Sequence, residues 1–97
     1  MRMERIPGNV RRRQEFSGPA DLARFFRGDR LETMPRRSKD REAVLAYVVS
    51  RFEPGREYPE PEVNSLLLAA ADDVASLRRY LIDAGLLTRD RGVYRRG

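Results

Sequence analysis

The chain has 97 residues, with 20 Lys and Arg against 15 Asp and Glu, a formal charge of +5 and a pI near 10.4; this is enough for one domain with a modest core. It contains no cysteine and no histidine, which removes disulfides, ordinary structural zinc sites, thiol nucleophiles and imidazole acid–base chemistry together. No apolar run approaches the roughly 20 residues that cross a bilayer, and "MRMERIPGNVRRR" lacks the apolar stretch of a signal peptide, so a soluble cytoplasmic protein without cofactor or metal is expected.

The residues from 1 to 15 hold Pro7, Gly8, few apolar side chains and the run Arg11-Arg12-Arg13, which reads as a flexible basic arm. From Ser17 the character changes. "SGPADLARFFRG" supplies a cap, a proline near the first turn, apolar Leu22, Phe25 and Phe26, and a stopping Gly28, the makings of a short helix. Of two adjacent phenylalanines only one points fully inward, which leaves the other for a dimer contact or a contact with the arm. "RLETMP" then reads as a brief extended segment that Pro35 ends or confines to a sheet edge.

Ser38 is placed to cap the next helix, with Asp40 and Glu42 in its first turn. Val44, Leu45, Val48, Val49 and Phe52 follow at helical spacing, and "EPG" at 53 to 55 ends the run. A second helix is expected to begin near Pro59 to Pro61, with Val63, Leu66, Leu67 and Ala70 on one face. Asp72 or Asp73 caps a third, whose apolar stripe is Val74, Leu77, Leu81 and Ala84. Gly85 stops it in a left-handed turn that lets Leu86 pack back on Leu81. "LLTRDRGVYRR" closes the chain as two short strands around Asp90-Arg91-Gly92, the three residues expected to form the hairpin loop.

Helix, helix, helix, hairpin is the order of a winged helix-turn-helix. The expected fold is therefore α+β, mostly helical, with a three-helix core, a C-terminal β-hairpin wing and an extra N-terminal short helix and strand. The expected organisation is an arm at 1–15 and a single winged-helix domain at 16–97, divided into an extension at 16–37 and the helix-turn-helix and wing at 38–97.

The span "RFFRGDRLETMPRRSKDREAVLAYVVSRFEPGREYPEPEVNSLL" followed by "DDVASLRRYLIDAGLLTRDRGVYRR" resembles the bacterial domain-of-unknown-function family 2087. The most specific pieces are "RFEPGREY" (51 to 58), "EVN" (62 to 64) and "LRRYLIDAGLL" (77 to 87). Members occur alone or joined to an ArsR-type helix-turn-helix domain and are commonly labelled transcriptional regulators, so the resemblance implies the fold and that label but no established activity. The chain departs from the family pattern at three places. Pro59 replaces a small hydroxyl residue, so the second helix starts without that cap. Tyr80 replaces an acid in the usual "LRREL", and Ala69 to Ala71 stand where members often have histidine.

In a helix-turn-helix the second helix of the pair places its first residues against base edges while phosphate contacts set the register. By position that helix is the third, exposing Ala75, Ser76, Arg79, Arg78 and Asp83. Two aspartates at its start are an electrostatic cost beside phosphates. Its arginines can equally pair with Asp83, Glu62 or Asp73. Arg89, Arg91, Arg95 and Arg96 lie within one hairpin, whose alternation is expected to hold Tyr94 inward and present several guanidinium groups outward, along a phosphate backbone or in a minor groove. The same charges also serve a solvated edge strand that resists aggregation. Ser76, Arg78, Arg79, Arg89, Arg91 and Arg95, with Arg11, Arg12 and Arg13 of the arm, are the candidate contacts to duplex DNA. The competing expectation is a module that binds protein or pairs with itself through the third helix or the exposed phenylalanine, which the acidic helix start and the net zero charge of residues 41–97 favour. Carboxylates alone, at no catalytic spacing, name no enzyme.

Overall fold

The computed structural model describes residues 16–97, so the expected arm and its Arg11, Arg12 and Arg13 lie outside the described residues. The first described element is a 3-10 helix, Ala20–Phe25. Its N-cap is Pro19 rather than Ser17, because the Ser17 hydroxyl is engaged by Asp29 across the surface. The helix stops at Phe26, before Gly28. Strands β1 (Phe26–Arg27) and β2 (Arg30–Leu31) then form an antiparallel hairpin around Gly28-Asp29, with Gly28 at φ 60°. A glycine with positive φ at the first of two turn residues matches the twist of the strands it joins. Leu22 and Phe26 are buried in the main core. Phe25 is half-buried beneath the Arg24 guanidinium, which lies 4.6 Å from its ring centre.

Helix α1 (Ser38–Val49) buries Val44, Leu45, Val48 and Val49, the stripe its spacing implies. Ser38 does not cap it. The extended backbone that a cap requires falls one residue earlier, at Arg37 with ψ 134°, and no side chain caps the helix. The entry is held instead by Arg41, which reaches back to donate to the carbonyls of Arg36 at 3.0 Å and Pro35 at 3.4 Å. Past the helix, Phe52 is buried and Gly55 turns the chain with φ 80°.

The next element is a strand that periodicity did not announce, β3 (Glu57–Pro59), running directly into α2 (Glu60–Leu68). Pro59 ends β3 and serves as an N-cap without a side-chain bond, and Pro61 sits in the first turn, where its missing N–H costs nothing. Helix α3 (Val74–Asp83) is capped by Asp73, whose carboxylate accepts the Ser76 N–H at 3.1 Å. It ends with Leu86 N–H donating to the Leu81 carbonyl at 3.0 Å and Gly85 N–H to that of Ile82 at 2.9 Å, Gly85 lying at φ 77°. These are the two bonds of a Schellman motif. Leu77 and Leu81 are buried and Val74 half-buried. Ala84, expected on the same stripe, is exposed because it is already the C-cap residue.

Strands β4 (Leu87–Asp90) and β5 (Val93–Arg96) close the chain as a hairpin. Asp90 pairs with Val93, so the loop has two residues, Arg91 and Gly92, rather than three. Both have positive φ, 55° and 80°, as a type I′ turn requires. β5 is the centre of a three-stranded antiparallel sheet in the order β3-β5-β4. Tyr58 and Tyr94 face each other across it on the core side, both fully buried. Each hydroxyl finds a partner: Tyr58 accepts the Glu53 N–H at 2.7 Å, and Tyr94 donates to Glu60 at 2.9 Å. The fold is thus a small α+β unit with two antiparallel sheets. Among the described residues no helix is long and apolar enough to cross a membrane.

Candidate nucleic-acid interface

Tyr94 of β5 donates its hydroxyl to Glu60 at the start of α2. Burial first, and then the Glu60 carboxylate that its hydroxyl bonds, raise the Tyr94 pKa, while Arg78 on α3 and Arg89 on β4 both lie close enough to oppose the shift.

The individual arginines are placed very differently. Arg79 and Arg89 are exposed, and among the described residues no carboxylate lies within ion-pair distance of either. Arg91 stands at the hairpin tip, 93% exposed, with Asp90 of the same turn 4.0 Å away. Ser76 is exposed, its backbone N–H committed to the cap. Arg78 is half-buried and donates to the Asn64 side chain, tying α3 to α2. It takes none of the carboxylate partners considered for it, and Glu62 pairs with Arg56.

The hairpin does not present its guanidinium groups to one side. Arg89 lies opposite Tyr94 and so shares the core face of the sheet, its guanidinium 5.9 Å from the ring centre. Arg96, opposite Leu87, turns the same way and donates to the Phe52 carbonyl at 2.9 Å. Arg95 lies on the other face, opposite Thr88 and Glu57, and forms an ion pair with Glu57. The free charge is thus concentrated at Arg89 and the Arg91 tip.

Sequence reasoning missed the β1–β2 hairpin as part of this surface. Arg30 donates to the Leu68 carbonyl at 2.9 Å and pairs with Asp72, and the Leu31 N–H donates to the Ala70 carbonyl at 2.7 Å, so the hairpin is fastened to the turn between α2 and α3. Between it and α3 runs a groove of about 680 Å³ lined by Arg27, Arg30, Glu32, Asp73, Ser76 and Tyr80 among others. Arg27 is 84% exposed on its rim and lies 3.6 Å from the Glu32 carboxylate. The signal was available: "FRGDRL" is a Gly-Asp pair between short flanks, a recognised hairpin pattern.

This arrangement lightens the acidic objection to α3. Asp72 is countered by Arg30, and Asp73 is used as the cap, its carboxyl held below the ordinary range by the Ser76 hydroxyl and N–H. No group of three or more acidic side chains among the described residues is placed to hold a metal ion.

Residues 30–96 match the family model DUF2087, described as an uncharacterized protein conserved in bacteria. The match spans more than half of the chain, which therefore belongs to that family. No curated protein and no solved structure matches the chain.

Proposed function

We propose that this DUF2087 member is a winged-helix protein that binds duplex DNA in the bacterial cytoplasm and regulates transcription without catalysis. In this reading α1, α2 and α3 are the helical core, β3 is the first strand of the wing sheet, and β4–β5 is the wing. The observation that carries it is an exposed α3 followed directly by a hairpin whose Arg89 has no carboxylate within ion-pair distance among the described residues and whose Arg91 stands exposed at the tip, on an element order of helix, strand, helix, helix, strand, strand. α3 would enter the major groove, with Ser76 and Arg79 toward the bases or phosphates and the hairpin tip along the backbone. Arg27 at the neighbouring hairpin, whose pair with Glu32 is long and exposed, joins the phosphate-contacting set. Arg78 and Arg95, being engaged within the fold, leave it.

The test is fluorescence anisotropy of a labelled duplex titrated with the full chain and with Arg79→Ala and Arg89→Ala. Each substitution is expected to weaken binding and to reduce the slope of log K against log salt by about 0.9. Slopes identical to that of the wild type would remove these two side chains from the interface.

A second reading has its own observation. Leu68, the last residue of α2, is 54% exposed and Tyr80, on α3, 37%, as suits a surface that packs against protein. A module of this kind would form a defined oligomer and bind no duplex even at low salt.

A further inference from the structure

The entry to α1 carries a run of exposed charge. Arg36, Arg37 and Lys39 all lie on the surface, and among the described residues no carboxylate is within ion-pair distance of any of them. The nearest acid in sequence, Asp40, is already paired with Arg24 at 3.1 Å. Upstream, Glu32 faces Arg27. With Arg41 the stretch 36–41 holds four cations against the single carboxylate of Asp40, a net of +3, in the part of the chain that precedes the electrically neutral body.

This run stands beside α3. The chain from Arg30 onward follows one flank of that helix: Arg30 pairs with Asp72, just ahead of its start, and Met34 lines the groove together with Ser76 and Tyr80. Further on, Arg41 donates to the carbonyls of Arg36 at 3.0 Å and Pro35 at 3.4 Å, and its guanidinium carbon lies 6.0 Å from the centre of the Tyr80 ring. The flank therefore has Arg27 toward one end and Arg36-Arg37 toward the other. An α-helix with its side chains is about 10–12 Å across and the major groove of DNA about 12 Å wide, so a helix seated there fills it, and whatever stands along its flank comes up to the bordering phosphates. Resting on the DNA reading above, we infer that Arg36 and Arg37 are a second phosphate-contacting site, on the DNA strand that borders α3 on its Tyr80 side. Arginine suits the task, because its planar fork binds two phosphate oxygens at once. Contacts of this kind set the register of the helix without reading sequence.

The experiment measures the salt slope of duplex binding for the full chain and three double variants: Arg36→Ala with Arg37→Ala, Arg36→Lys with Arg37→Lys, and Arg56→Ala with Arg95→Ala. The last removes the same charge elsewhere, from side chains that pair with Glu62 and Glu57. Two lost phosphate contacts reduce the slope by about 1.8, so the affinity deficit against wild type shrinks roughly 12-fold between 50 and 200 mM salt. That loss is expected for the alanine pair at 36 and 37, with the slope retained by the lysine pair, which keeps the charge, and by the pair at 56 and 95. A reduction at 36 and 37 that exceeds the one at 56 and 95 by less than about 0.9, the value of one phosphate, overturns the inference, since net charge alone then explains it. So does a slope lost equally in the lysine pair, which would trace the effect to the fold and not to charge. Arg36 and Arg37 are exposed and outside every ion pair of the described residues, so both variants there are expected to melt as the wild type does. Wild-type protein that binds no duplex defeats the DNA reading and this inference with it, whereas a slope that falls in Arg79→Ala and Arg89→Ala but not in the alanine pair at 36 and 37 defeats the inference alone.

Discussion

The carboxylate of Asp73 closes the first turn of α3 by accepting the Ser76 N–H, at the point where an anionic strand would approach. The two roles separate by substitution. Asp73→Ala removes the cap and is expected to lower Tm. Because its bonds to Ser76 lower the Asp73 pKa below its ordinary 3.8, that contribution is present above the unfolded value and lost as the pH falls through the lower folded one. The difference in Tm between wild type and Asp73→Ala is therefore expected to be larger at neutral pH than near pH 2. Asp73→Asn keeps a good cap and removes the charge, so an unchanged Tm together with tighter duplex binding is expected. Weaker or unaltered binding would place DNA away from this end of α3. Arg91 offers the converse separation. It is the one non-glycine among the described residues with positive φ, and Arg91→Asn places there a residue that accepts a type I′ turn more readily. A raised Tm with lowered DNA affinity is expected, read from the same preparation by calorimetry and anisotropy.

At the scale of elements, α3 is held by packing as well as by its cap. Its exposed side is charged, and it is seated by Leu77 and Leu81, both buried against α1, α2 and the sheet. Leu81→Ala is expected to cost about 2–5 kcal/mol, visible as a lower urea midpoint with an unaltered slope. The same element shows how far the sequence could be read. The aspartate cap, the leucine stripe and the glycine stop of α3 were legible because each is a local rule, satisfied within a few residues. Strand β3 was not, because three residues merging into a helix through Pro59 show no period of their own, and their partners on β5 lie more than 30 residues on. Alternation along β5 correctly buries Tyr94. Which arginines share its face depends on register with β4, and register put Arg89 inward with Tyr94 and Arg95 outward. Arg78 looked free for the same reason: its partner Asn64 is 14 residues away on another helix.

Across the whole molecule, the excess charge lies in residues 1–40, and residues 41–97 sum to zero. The proposed interaction with DNA therefore rests on where the exposed arginines stand more than on the net charge of the body. The described structure leaves Arg79 and Arg89 without a carboxylate in ion-pair distance and Arg27 and Arg91 highly exposed in long pairs with Glu32 and Asp90, while Arg30, Arg78, Arg95 and Arg96 are engaged within the fold. The direct test is a duplex titration followed by amide chemical shifts in an assigned nitrogen–proton NMR spectrum of the full chain. The account predicts shifts concentrated in residues 73–80 of α3, in 88–93 of the β4–β5 hairpin and in 27–30 of the β1–β2 turn. Shifts confined to other faces, such as Glu42 and Ala46 on the outer side of α1, or no shifts at low salt, would contradict it.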